Sequence, residues 1–137
     1  MHASLIYWPV LAQVFLTMMM FIVLVGRRTQ AIKDGSADRS KTALDNKAWP
    51  DRVVQASNNI SNQFELPVLF YVLVLMLVSL DAVTTAALVL AWVFAVSRYI
   101  HAYIHTHSNY VPWRMRVYTI GSLSVIGLFV CNVLALV

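Results

Sequence analysis

The sequence predicts an all-α integral membrane protein, a four-helix bundle forming a single domain over residues 1–137. Three observations predict it. Hydrophobic residues make up 60% of the 137 and charged residues 12%, with a mean hydropathy of +0.70, well outside soluble globular composition. Four apolar stretches, about 5–25, 58–80, 82–104 and 117–137, are each near the ~20 residues that a helix needs to cross a bilayer. All ten Lys and Arg lie in or beside two segments, Arg27 to Arg52 and Arg98 to Arg116.

That distribution orients the chain. By the positive-inside rule, loops 26–57 and 105–116 face the cytoplasm and both termini lie on the other side. The net charge of +4 is then a membrane-flanking feature, and nucleic acid is not an expected partner; the lipid bilayer is. Cys131 is the single cysteine, so no intrachain disulfide is available.

In the first span, Tyr7 and Trp8 suit one interface and Arg27–Arg28 the other. Met1 to Ser4 carries no Lys or Arg, and Leu5 to Gly26 is too long for a signal-peptide core, so a retained span is expected. Gln13 is its only strongly polar interior residue. Met18, Met19 and Met20 point around the helix and read as packing rather than a metal site. The polar connection from Thr29 to Asp51 is long enough to be partly helical or functional. Trp49-Pro50-Asp51 opens the next helix, Pro50 fitting its first turn. Pro67 should loosen the second span beside Glu65, Asp81 marks a tight reversal, and Pro112 breaks the chain before the fourth span.

Two polar stripes carry the chemistry. Gln55, Asn58, Asn62 and Glu65 fall on one face of a helix that runs without a break into apolar sequence, and Arg98, His101 and His105 fall on one face of the third span. A membrane carboxylate is costly and should have a partner. Glu65 and Arg98 both lie ~10 Å from the cytoplasmic ends of adjacent helices, counting 1.5 Å per residue, so they are expected to pair. The bland reading is that such groups only hold helices together. His101 and His105 share the i, i+4 spacing of metal ligands, but nothing on that helix completes a ligand set, and no metal is expected. Transport is a third reading, weakened by the lack of internal repeats and of polar residues in the outer half.

The motif NQFELPVLFY (62–71), with the four spans around it, resembles the MAPEG family, the membrane-associated proteins in eicosanoid and glutathione metabolism, and in particular its bacterial members. The resemblance covers nearly the whole chain. Asn62-x-x-Glu65 is similar to the Asn-x-x-Glu with which glutathione-using members hold the tripeptide, and Arg98-x-x-His101 resembles their third-helix pattern. Arg114 stands at the place of the arginine credited with stabilising the glutathione thiolate, and Tyr118 matches a tyrosine four residues on. The resemblance implies a homotrimer in a bacterial inner membrane, with glutathione bound between subunits near the cytoplasmic side. It implies catalytic roles for Arg114 and Tyr118. It also implies glutathione binding by Asn62, Glu65, Arg98 and His101, with Asn58 and His105 on the same stripes. The activity implied is a glutathione-dependent transferase or peroxidase acting on lipophilic electrophiles; the alternative is a non-catalytic protein or an accessory subunit of a larger membrane complex. Three positions depart from the pattern: Ser61 replaces an arginine, His105 a tyrosine, and Met115 a polar residue found in some members. The lost arginine removes a charge-assisted contact worth about 1.5–3 kcal/mol.

Overall fold

The computed structural model describes residues 2–137. It is all-helical there, and four of its helical segments are long and apolar enough to cross a membrane. The first is α1 (Tyr7–Lys33), entered through a 3-10 turn at Ala3–Ile6. The polar connection is partly helical, with α2 (Arg39–Thr42) and a 3-10 turn at Asn46–Ala48. Asp38 and Asp45 cap these short pieces, accepting from the backbone N–H of Ser40 and Lys47. The second crossing is two helices, α3 (Asp51–Gln63) and α4 (Leu66–Ser79), followed by α5 (Thr85–Thr106) and α6 (Val111–Leu136).

The ends that carry the basic residues meet. Arg27 donates to the Arg52 carbonyl at the start of α3 (2.7 Å) and to the Thr106 carbonyl at the end of α5 (2.8 Å), satisfying an orphan helix-terminal acceptor with a cation. At the opposite end α4 closes in a left-handed turn. Asp81 has φ 51°, its N–H donates to Val78 and that of Ala82 to Leu77 (3.1 and 2.9 Å), a Schellman arrangement. Thr84 then caps α5 by accepting from Ala87 N–H (3.1 Å).

Lipid tails are as apolar as leucine, so close packing and polar contacts rather than water exclusion must join these helices. Two buried clusters do the packing. One joins α4, α5 and α6 through Phe70, Val74, Leu77, Ala91, Phe94 and Leu128, with Phe70 and Phe94 stacked at 4.4 Å. The other joins α1, α3 and α5 towards the basic end through Leu16, Met20, Leu24, Val53, Ala56 and Ala102. Met20 is buried and Met18 exposed, as consecutive positions around a helix require. Gly121 lets α6 approach α5: a Cβ there would lie 2.8 Å from Ser97 Oγ.

Several expectations are corrected. Phe64 and Glu65 interrupt the second crossing, Glu65 leaving helical geometry at φ −98°, ψ −102°. The cause is Pro67, which has no N–H for the Gln63 carbonyl and whose ring would strike it. The expected loosened turn is a full break. Pro112 does not break the chain but sits in the first turn of α6, where its missing N–H costs nothing. Arg114, Arg116 and Tyr118 are therefore helical, and the connection expected over 105–116 shrinks to the few residues between Thr106 and Val111. Pro50 precedes α3 as its N-cap. Asn132 is a buried polar residue in the half of α6 far from the basic end, donating to the carbonyls of Leu73 and Leu128 (3.1 and 2.9 Å), so that half is not free of polar groups.

Candidate functional site

Near the basic end, α3, α5 and α6 border an open cavity of about 360 Å³ lined by Asn58, Asn62, His101, His105, Arg114, Met115, Tyr118 and Thr119. The volume is within the range of small-ligand sites. A second concavity of about 260 Å³ shares Asn58, His105 and Arg114 with it and reaches Asp51 and Gln55 at the mouth of α3.

Each wall is placed by a local rule. His101 and His105, one turn apart on α5, present ring centroids 5.5 Å from each other, and Tyr118 of α6 lies 5.7 Å from His101. Arg98, one turn earlier on α5, is 1% exposed. It donates to Asn62 Oδ1 (2.7 Å) and its guanidinium lies 5.8 Å over the Tyr118 ring, a cation–π distance. Its Nε and Nη1 are buried without a partner, as is His101 Nδ1. Arg114 is held from the loop: Asn109, in the left-handed region at φ 50°, accepts a hydrogen bond from Arg114 Nη1. Asn tolerates that conformation better than most residues. Arg116 instead lies 5.1 Å over Trp113, away from the cavity.

The expected site residues thus divide. Asn58, Asn62, His101, His105, Arg114 and Tyr118 converge on the cavity, and Arg98 lies against Asn62 and Tyr118. Glu65 does not join them. It is exposed on the surface of the chain and makes no direct ion pair with Arg98, which donates to Asn62 instead, although its charge still acts on the Arg98 guanidinium; among the described residues, the ion pair is Arg52–Asp34 at 2.7 Å. The break at Pro67 turns Glu65 out of line with Asn62.

Four residues escaped the sequence reading as site residues. Gln13, Asn59 and Gln63 are buried and hydrogen-bonded in series toward His105, and Asn109 anchors Arg114. The signal for Asn59 and Gln63 was the apolar face: Val53 and Ala56 are buried, and 59 and 63 continue their spacing.

A family model for MAPEG matches residues 5–134. The chain belongs to the MAPEG family. The match spans all four crossings and every residue of the cavity. No curated protein and no solved structure gives a significant match to this MAPEG chain. The family includes glutathione-related transferases.

Proposed function

We infer that this MAPEG protein is a glutathione-dependent transferase or peroxidase acting on lipophilic electrophiles. One observation carries the reading: among its eight lining residues the cavity has no carboxylate and several donors, with Arg114 and Tyr118 on one wall and Asn58 and Asn62 on another. Glutathione offers two carboxylates and a thiol, and such a lining suits anionic oxygen and sulfur. A thiol titrates near ~8.5, and the thiolate is the nucleophile. A guanidinium held in low dielectric favours the anion; this reading gives that role to Arg114, which donates to Asn109. Asn62, itself held by Arg98, orients the peptide, and apolar electrophiles reach the sulfur from the bilayer.

Assembly and placement belong to the same reading. The basic end faces the cytoplasm of a bacterial inner membrane, which the clustering of Lys and Arg supports. A homotrimer would cover Glu65, whose carboxylate is costly on a lipid-facing surface.

The test is ultraviolet difference absorbance of the reconstituted protein at millimolar glutathione. A thiolate band is expected, lost together with conjugating activity in Arg114→Ala while the fold is retained, and kept in Arg116→Ala. No band in the wild type sinks the enzyme reading. The second reading, a structural protein or accessory subunit of a larger membrane complex, is favoured by Ser61. This residue is exposed and donates only to the Ser57 carbonyl of its own helix (3.3 Å), adding nothing to the cavity.

A further inference from the structure

Three buried amides on two helices end at one ring of the cavity. Gln13 Nε2 on α1 donates to Gln63 Oε1 on α3 (2.7 Å), Gln63 Nε2 donates to Asn59 Oδ1 (3.0 Å), and Asn59 Nδ2 meets His105 Nδ1 on α5 (3.3 Å). Gln13 and Asn59 are 0% exposed, Gln63 1% and His105 7%. A carboxamide has a donor end and an acceptor end, so each member that receives a hydrogen bond on oxygen passes one on from nitrogen. The series therefore has a direction, and its last step requires His105 Nδ1 to be an acceptor.

We propose that Gln13, Gln63 and Asn59 act as a one-way relay that positions His105, holding the ring as its neutral Nε2–H tautomer and turning an N–H donor toward the cavity. The far end supports that direction. Gln13 Oε1 is buried without a donor; reversing every amide would bury an NH2 group without an acceptor in its place, and orphaned N–H groups are the rarer in native proteins. Buried networks of this kind select one arrangement because any other leaves desolvated groups unpaired.

The consequence is a specificity for the ligand. A ring whose Nδ1 accepts from Asn59 and whose Nε2 carries a proton has no lone pair free for a metal or for proton abstraction. It can donate to a carboxylate or carbonyl oxygen or to a thiolate sulfur. With Arg114 on the same cavity, the ligand must bring an acceptor to this wall, and a cation is rejected. Asn59 and Gln63 are positioning residues, since they act on the cavity only through His105.

The experiment is nitrogen NMR of the full chain in lipid nanodiscs, labelled with 15N-histidine and free of ligand. The His105 signals are those lost in His105→Gln. The wild type should show Nδ1 unprotonated and Nε2 protonated. Asn59→Asp puts an acceptor where the amide N–H was and should protonate Nδ1. If that buried carboxylate prevents folding, Asn59→Leu, close in size and without hydrogen-bonding groups, should leave His105 divided between both tautomers. Nδ1 protonated in the wild type overturns the proposal, as does an unchanged pure Nε2–H state in Asn59→Leu. Because no thiol is present, the result is independent of whether glutathione is the ligand.

Discussion

Arg98 and Asn62 make the sharpest energetic prediction, because their contributions are unequal. Arg98 is 1% exposed, and its one hydrogen-bonding partner is Asn62 Oδ1 at 2.7 Å, with Nε and Nη1 unpartnered. Asn62→Leu leaves a buried guanidinium with no hydrogen bond. A bond to a charged group is worth about 1.5–3 kcal/mol, and a buried charge stripped of its partner costs about 3–5 kcal/mol. A loss near 3 kcal/mol is therefore expected. Arg98→Met keeps most of the aliphatic volume and removes the charge; it leaves half-buried Asn62 to find water and gives up the contact over Tyr118, about 1 kcal/mol in all. The smaller residue should thus be the costlier to lose. The double variant should resemble Arg98→Met rather than the sum, because the stranded charge is gone. Unfolding in mixed micelles by SDS titration reads these differences. A loss below about 0.5 kcal/mol in Asn62→Leu, or simple additivity in the double variant, would refute the pairing.

Three further outcomes follow from other regions. Gly121→Ala places a Cβ 2.8 Å from Ser97 Oγ and should cost about 1–3 kcal/mol by overpacking, measured in the same titration; Ser97→Gly in the same chain should restore most of it. Asp34 is held down to about 2, from 3.8, by hydrogen bonds from Ser36 and Arg52. Its folded value lies below its unfolded one, so its contribution is complete above 3.8 and is lost as pH falls through about 2. An NMR titration of the carboxyl carbon checks this, and a midpoint at the ordinary aspartate value would contradict it. Reporter fusions at Gly35 and Asn109 should be cytoplasmic and one at the C-terminus external; a cytoplasmic C-terminus would overturn the orientation.

Much of the site was legible because helices translate spacing into faces. His101 and His105 at i, i+4, and Arg114 and Tyr118 at the same interval, reach the cavity together as their spacing requires. The Asn58–Asn62 stripe also reaches it. The Asn-Asn and Asn-Gln pairs at 58–59 and 62–63 offered two polar registers one residue apart, though, and the reading followed only the outer one. The inner register, Asn59 and Gln63, is the one buried against α1 and α5.

By itself the sequence determined the membrane class, the four crossings, the gathering of basic residues at one end and the faces on which Arg98, His101, His105, Arg114 and Tyr118 stand. These depend on composition and on a period of about 100° per residue, both local properties of the chain. Only the tertiary structure decided that Glu65 turns outward, that Asn62 rather than Glu65 meets Arg98, that Asn109 holds Arg114 and that Gln13 is linked through two amides to His105. The period is lost across the two-residue break before Leu66, and side chains on different helices meet only when depth and rotation agree to within a hydrogen bond's length. Those quantities are set by close contacts such as Ser97 against Gly121, which no single helix contains.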